Sequence, residues 1–325
     1  MTQPNPRRQF LALSSLALTP WAAHAAWPQR PVRIVVPFAP GAGTDAMGRL
    51  LAQKLGEQLG TNFVVENRAG ASGAIGTQHV AQSAPDGHTL LLIAAPFTTV
   101  AAVLPQAGYD PVRGFAPISM VAQGPLLWAC QKDLPVANLR ELIDYARSRP
   151  GRLNYGSAGA GGINHLALEG LKARTGVFIT HIPYRGIAPA TQDLLAGQLD
   201  LITGTIPALA PFVRDGRIKA LAVTTGRRTP ALPDVPSMNE SGLAGFDVNN
   251  YFGLVAPRGT PQAVADRINE VLPRVLALPD VQARFKTDAL EPATLGAAAQ
   301  ANFLAQDFGS WQKVVAAQGI KVDSV

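Results

Sequence analysis

Short apolar, β-branched runs alternate along this chain with segments whose apolar residues recur every three or four positions. The first run spans residues 32–38, and a turn with two glycines follows at 39–43. The next segment carries a single apolar stripe at helical spacing: Met47, Leu50, Leu51, Leu55 and Leu59. A buried strand, a glycine turn and an amphipathic helix form the repeating unit of a doubly wound α/β sheet.

The same unit recurs up to a proline-rich loop at 230–236, and one strand pattern and three helical patterns follow that loop. Two strand-like runs, 117–122 and 126–130, meet at Gly124-Pro125, and the chain is expected to cross back near Thr225. Two crossings predict two α/β units with a ligand cleft between them, near the carboxyl ends of the strands.

One predicted lobe is built from two separate stretches of the chain, and the other from a single stretch. Residues 26–124 and 226–325 form lobe I, which is discontinuous, and residues 125–225 form lobe II. Each lobe is predicted to contain a doubly wound sheet, and the crossing strands join the two sheets as a hinge. The predicted fold class is therefore α/β.

The first 25 residues have the order of an export signal. Arg7-Arg8 precedes an uncharged apolar segment at 11–23, which is shorter than the roughly 20 residues that a membrane span needs. Ala23-His24-Ala25 then supplies the small residues of a cleavage site. Pro20 disfavours the alternative of an ordinary N-terminal helix. We therefore expect a twin-arginine signal peptide over residues 1–25, cleavage near its end and a periplasmic protein.

Composition restricts the partners of the protein. The formal charge of +6 falls by two when the predicted signal is removed, and the basic residues are scattered rather than clustered. Nucleic-acid binding therefore has little support, whereas a mild positive balance suits an anionic ligand. The only cysteine, Cys130, excludes an internal disulfide and is expected to be a small buried hydrophobic residue. We expect a monomer.

Two glycine-rich loops, 38–45 and 156–164, are the best candidates for a binding site. Each places glycines and hydroxyls between a strand and the N-terminus of a helix. Free backbone N–H groups and the helix dipole at such a position attract anions without an arginine. Each loop taken alone could be only a tight turn. One loop in each predicted lobe favours a shared anion site in the cleft.

The sequence argues against a cofactor, a metal ion and a catalytic centre. Residues 70–76 lack the Lys-Ser/Thr of a phosphate-binding loop, and residues 156–162 lack the spacing of a dinucleotide site or a nucleophile elbow. The histidines after the predicted signal show no metal-ligand spacing: His79, His88, His165 and His181. Asp45 and Asp200 are interpreted as capping or water-bridging groups rather than as an acid–base pair.

Many short motifs occur along the chain in the order typical of one receptor family. They include Pro40-Gly41-Ala42-Gly43-Thr44-Asp45, Val65-Glu66-Asn67-Arg68-Ala69-Gly70, Gly156-Ser157-Ala158-Gly159, His181-Ile182-Pro183-Tyr184-Arg185-Gly186 and Phe252-Gly253-Leu254-Val255-Ala256-Pro257. In these motifs the chain resembles the substrate-binding receptors of tripartite tricarboxylate transporters, the Bug (TctC-like) family. The likeness covers essentially all of the sequence after the predicted signal.

The resemblance implies a two-lobed flytrap fold of type II and a receptor, rather than an enzyme, for a small carboxylate. It also implies membrane permease subunits as partners. Members hold the carboxylate with backbone amides, hydroxyls and ordered water from the two glycine-rich loops. Carried over to this sequence, the ligand-binding residues are Phe38, Gly41, Gly43, Thr44, Asp45, Ser157, Gly159, Gly161, Asn164, His165, Tyr184, Asp200 and Thr203. Residues 94–108 fit the family poorly, so the resemblance does not imply which residues contact the far end of the ligand.

Two other functions stay open from the sequence. A sensor subunit would present its ligand to a membrane kinase instead of a permease, and the sequence does not separate these two roles. An enzyme on the same scaffold would need a perturbed acid–base pair in the cleft, and the sequence shows none.

Overall fold

The computed structural model describes residues 27–41, 43–104 and 106–321, so the predicted signal peptide lies outside the described residues. The strands are β1 (Val32–Val36), β2 (Phe63–Asn67), β3 (Thr89–Ala94), β4 (Phe115–Gln131), β5 (Asn154–Ser157), β6 (Thr180–Pro183), β7 (Leu201–Thr205), β8 (Ile218–Val223), β9 (Asn249–Pro257) and β10 (Glu291–Pro292). The helices are α1 (Gly43–Leu59), α2 (Ala74–Ala81), α3 (Pro96–Val103), α4 (Leu139–Ser148), α5 (Ile163–Thr175), α6 (Ile187–Leu195), α7 (Ile206–Arg214), α8 (Gln262–Leu276), α9 (Pro279–Asp288) and α10 (Gly296–Gln318).

The first sheet has the strand order β2-β1-β3-β9-β4. Strands β1, β2 and β3 are parallel to each other, and β9 runs antiparallel between β3 and β4. Four of the five residues of β1 are buried and only Arg33 is exposed, as expected for a parallel strand that helices cover on both faces. This α/β order confirms the fold class predicted from the sequence.

The second sheet continues from the other half of β4. There β4 pairs antiparallel with β7 and β8, and β5 lies parallel to β6 and β7. The 17-residue strand β4 therefore belongs to both sheets. The sequence analysis divided this strand into two runs at Gly124-Pro125, and the structure instead shows one continuous strand, because both residues pair with Asn250 and Asn249 of β9.

The segment between β8 and β9 packs against the second sheet. Backbone N–H groups of Val223, Met238 and Val248 donate to Pro236, Thr225 and Thr224 respectively. These bonds favour a return to the first lobe at the start of β9. The boundaries 26–124, 125–225 and 226–325 stay predictions.

Helix α10 joins the two halves of the molecule. It packs on α3, which follows the first sheet, and on α5, which follows β5 of the second sheet. Leu304 and Trp311 of α10 are 2% and 6% exposed. Burial of side chains of this size contributes about 1.5–3 kcal/mol each. Cys130 is fully buried as predicted, and burial raises the pKa of its thiol to about 11.

No helix in the described part of the chain is long and apolar enough to cross a bilayer. The same residues contain no cluster of three or more His, Cys, Asp or Glu side chains that could hold a metal ion.

Candidate functional site

The first predicted loop follows β1 and is held in shape by Asp45. Its carboxylate accepts hydrogen bonds from Gly41 N at 2.9 Å, from Arg49 Nε at 3.0 Å and from Asn67 Nδ2 at 2.8 Å. Asn67 also donates to the carbonyl of Phe38. The hydrogen bond from Arg49, followed by that from Gly41, lowers the pKa of Asp45 to about 2. Asp45 is therefore ionised at neutral pH and has a structural role in the loop.

The glycines of this loop leave room around the backbone. A Cβ placed on Gly41 or on Gly43 would meet nothing within 4 Å. Gly41 has a φ of +83°, which a side chain would oppose. Gly43 has open space around it and no positive φ, so neither packing nor backbone conformation requires a glycine at this position. Thr44 is half-buried in the first turn of α1.

A third loop, residues 70–73, lies against the first and was not predicted as part of the site. All four residues have positive φ: 133°, 49°, 52° and 99° for Gly70, Ala71, Ser72 and Gly73. For the two non-glycine residues this conformation costs roughly 1–2 kcal/mol each. A Cβ on Gly73 would lie 3.3 Å from the ring of Phe38. Strained backbone of this kind is often found at ligand sites.

The second predicted loop follows β5, and Ser157 is its organising residue. Ser157 Oγ lies 2.7 Å from His181 Nε2, accepts from Gly159 N at 3.2 Å and is 3.1 Å from the carbonyl of Gly159. Gly159 and Gly161 have φ values of +137° and +78°, which only glycine adopts easily. The loop therefore needs its glycines for conformation as well as for access.

Two histidines stack beneath this loop. The ring centroids of His165 and His181 are 3.9 Å apart, and the ring of Tyr155 lies 4.8 Å from that of His181 and 6.3 Å from that of His165. His165 Nδ1 accepts from Gly161 N at 3.1 Å. Burial, assisted for His181 by its neighbour His165, lowers the pKa of His165 to about 4 and that of His181 to about 3. Both imidazoles are therefore neutral at neutral pH.

Ser157 and His181 have the spacing of a nucleophile and its base, which the sequence analysis did not identify. A serine hydrolase, however, needs an imidazole that takes up a proton, and a carboxylate usually supports it. His181 packs against both Tyr155 and His165, and its lowered pKa opposes protonation. The pair is suited to fixing the hydroxyl of Ser157 rather than to activating it.

A buried ion pair lies behind the histidines. Glu169 Oε1 accepts from Lys172 Nζ and from Tyr155 Oη, both at 2.6 Å. Glu169 and Lys172 are 4% and 9% exposed. Each charge is thus compensated within lobe II, and neither is required by the ligand loops.

Asn164 and Thr203 belong to the same end of the second sheet. Asn164 Nδ2 donates to the carbonyl of Thr203 at 2.7 Å and so ties the first turn of α5 to β7. Thr203 is fully buried, and its hydroxyl has no hydrogen-bond partner among the described residues.

Tyr184 and Asp200 differ from the other predicted site residues. Tyr184 N donates to the carbonyl of Ser157, but its hydroxyl donates to Asp193 of α6 at 2.6 Å, away from α5. Asp200 precedes β7 at its amino end and accepts from Asn154 N at 2.8 Å. The structure therefore places the Asp200 carboxylate at the opposite end of β5 and β7 from the glycine loop.

The loops of the two lobes meet. A Cβ on Gly159 would lie 3.7 Å from Ser72 Oγ, and a Cβ on Gly161 would lie 3.6 Å from Val103 Cβ. A cavity of only about 10 Å³ lies beside them, lined in part by Phe38, Ser72 and Pro96. Larger cavities lie elsewhere, such as one of about 740 Å³ between α7 and α9, but they contain neither glycine loop. We take the meeting point of the loops as the candidate site because the anion-binding chemistry converges there.

The sequence profile described as "Tripartite tricarboxylate transporter family receptor" matches residues 47–320. The chain belongs to this receptor family. The structure of the periplasmic binding protein BugD is 37% identical, with a TM-score of 0.78 over 91% of this chain and 99% of that one. Rpa4515 of R. palustris, solved with adipate, is 36% identical, with a TM-score of 0.81 over 91% and 99% of the two chains. MatC from Rhodopseudomonas palustris, solved with malate, is 33% identical, with a TM-score of 0.76 over 89% and 99%.

These likenesses confirm the predicted family and the two-lobed α/β fold of the periplasmic binding proteins. The receptor family consists of solute-binding proteins, and two of these neighbours hold carboxylates.

Proposed function

We propose that this receptor captures a small carboxylate where the glycine loops of its two lobes meet and delivers it to the permease subunits of a tripartite tricarboxylate transporter. The observation that supports it most is the approach of the loop at 157–162 to the loop at 70–73, with no Lys or Arg in either. Backbone N–H groups and hydroxyls at helix N-termini can hold an anion there. Adipate and malate in related receptors favour a carboxylate as that anion.

The ligand-binding residues of this proposal divide into two groups. Backbone groups at Phe38, Gly41, Gly43, Gly159 and Gly161 and the hydroxyls of Thr44 and Ser157 bind the carboxylate. Structural support comes from Asp45, Asn164, His165 and Tyr184, whose polar groups or backbone hold the loops.

A thermal-shift screen over small carboxylates, followed by calorimetry, tests the proposal. A ligand at about 100 times its Kd adds roughly 2.7 kcal/mol of stability. With the acid found in the screen, Ser157→Ala and Thr44→Val should each raise Kd about tenfold, since a hydrogen bond to a charged group contributes about 1.5–3 kcal/mol. Arg185→Gln should change Kd little, because Arg185 is exposed. Ser148→Ala, on an exposed helix face, is the matched control.

Two outcomes would reject the cradle of amides and hydroxyls. If Arg185→Gln abolishes binding while the hydroxyl variants bind normally, a salt bridge holds the ligand. If no carboxylate shifts the melting temperature, the ligand class itself is wrong.

We also propose that the protein reaches the periplasm through cleavage after residue 25. Mass spectrometry of periplasmic protein should then find Ala26 at the N-terminus. Lysine substitution of both Arg7 and Arg8 should block export by the twin-arginine route. Export that is unaffected by these changes would indicate the general secretory route.

A further inference from the structure

Thr99 and Thr203 are fully buried threonines whose hydroxyls have no hydrogen-bond partner among the described residues. A buried hydroxyl without a partner is costly, and most threonines in this protein avoid that cost. Thr191, for example, is buried in α6 and donates to the carbonyl of Ile187 at 2.9 Å. The unpaired buried hydroxyls of Thr99 and Thr203 therefore need an explanation.

Thr99 faces the second lobe. It lies one turn before Val103 on α3, and residues four apart share a helix face. Val103 in turn is the residue that a Cβ on Gly161 would meet at 3.6 Å. Its neighbour Thr98 points elsewhere, since its hydroxyl bonds to Tyr251 and Asp307. The hydroxyl of Thr99 is thus on the side of α3 that meets the glycine loop.

Thr203 approaches the same place from lobe II. Strands β5 and β7 are parallel, and Tyr155 is level with Leu201, so Ser157 at the end of β5 is level with Thr203 within β7 and both lie on the same face. That face is the one covered by α5, because Tyr155 stacks with His165. Asn164 in the first turn of α5 bonds to the Thr203 carbonyl. One unpartnered hydroxyl from each lobe thus lies behind the proposed carboxylate cradle.

We propose that Thr99 and Thr203 form a subsite for a neutral oxygen, a hydroxyl or a carbonyl, at the far end of the carboxylate ligand. This inference rests on the proposed function. The groups around the subsite are uncharged: two hydroxyls, the Asn164 amide, two imidazoles and the indole of Trp128. Trp128 pairs with Thr203 across β4 and β7, and its Nε1 also has no partner among the described residues. A second carboxylate buried among them would lack a compensating cation, whereas a neutral oxygen would satisfy both threonines. The preferred ligand class is therefore hydroxy- and oxo-carboxylic acids.

Two acid series of matched length test the subsite by calorimetry. One is butanoate, 4-hydroxybutanoate and succinate, and the other is hexanoate, 6-hydroxyhexanoate and adipate. In at least one series the wild type should bind the hydroxy acid about tenfold more tightly than the methyl-ended and dicarboxylic acids. Thr99→Val and Thr203→Val should each remove most of that preference and leave the affinity for the methyl-ended acid unchanged.

Two further variants separate a structural defect from a lost contact. Thr99→Ser keeps a hydroxyl and should retain the preference. Thr191→Val removes a buried hydroxyl that already has its partner within α6, the carbonyl of Ile187, and should not affect the preference. If acids bind but the wild type shows no preference for the hydroxy acid, or if Thr99→Val weakens all acids equally, the subsite is wrong and the proposed function survives. If no acid of either series binds, the proposed function fails for these acids and the subsite fails with it.

Discussion

Asp45→Asn tests whether the acidic residue of the first glycine loop stabilises the loop through its charge. The carboxylate accepts from Gly41, Arg49 and Asn67, and these bonds hold its pKa at about 2 instead of 3.8. The difference corresponds to about 2 kcal/mol of stability at neutral pH. The Arg49 side chain is 57% exposed, so solvent screens part of its contribution, and we expect about 1–2 kcal/mol.

The sign of the pH dependence follows from the direction of the shift. Because the folded state lowers the pKa of Asp45, its contribution is complete above about pH 4 and is lost as the pH falls toward 2. Once Asp45 is protonated, its side chain is uncharged, like the asparagine side chain of the variant. The difference in stability between the wild type and Asp45→Asn should therefore shrink over the same range.

Urea denaturation of both proteins at several pH values between 2.5 and 7 measures this difference. Asp144→Asn is the matched control, because Asp144 forms an exposed pair with Arg147 and should contribute less than about 0.5 kcal/mol. A difference of the same size at all pH values would show that the charge of Asp45 does not stabilise the loop. No difference at pH 7 would show that the loop does not depend on this residue.

Two more changes follow from the geometry of the site. Wild-type stability should fall as the pH drops from about 6.5 toward 4. Burial lowers the pKa values of His165 and His181 in the folded protein, so the unfolded chain takes up protons more readily over this range. His181→Gln should make stability depend less on pH in the same urea experiment, and an unchanged pH dependence would contradict this explanation. Gly76→Ala should lower the stability measured by thermal unfolding by about 1–3 kcal/mol, because its Cβ would lie 2.7 Å from the carbonyl oxygen of Arg68, whereas Gly309→Ala, which has open space in α10, should not destabilise the protein.

The alternation of apolar runs and amphipathic segments was sufficient to predict most elements of the fold, because that pattern is local, but it predicted neither α3 nor β10. The stripe from Met47 to Leu59 became α1, and the run at 32–38 contains β1. The pattern wrongly predicted a break between two strands at Gly124-Pro125, because glycine and proline normally interrupt a strand. Both residues stay in β4 because pairing with β9 extends as far as Pro125 and pairing with β7 begins at the next residue, Leu126. Long-range pairing of this kind leaves no local trace in the sequence.

The candidate site was predicted in part for the same reason. Glycines and hydroxyls between a strand and a helix are visible in the sequence, and one such loop, at 156–164, lies close to Ser72 and Val103 of the other lobe. His181 reaches Ser157 only because β5 and β6 are neighbours, and Ser72 reaches Gly159 only when the lobes approach each other. Residues 70–73 also carry a signal, since Gly70 and Gly73 flank the small residues Ala71 and Ser72. The lack of a phosphate-binding motif there does not exclude a role in a ligand site.

The proposed anion preference of the site does not require a basic side chain. The loops at 38–43, 70–73 and 157–162 lead directly into α1, α2 and α5, and α3 begins at Pro96 in the wall of the same small cavity. Each helix N-terminus carries the equivalent of about half a positive charge. The N-termini of α2 and α5 approach each other through Ser72 and Gly159, the charge of Asp45 is compensated by Arg49 and both histidines are uncharged, so this arrangement favours a single negative group. In the proposed subsite, specificity comes from neutral groups behind the carboxylate, and Thr99 and Thr203 supply them.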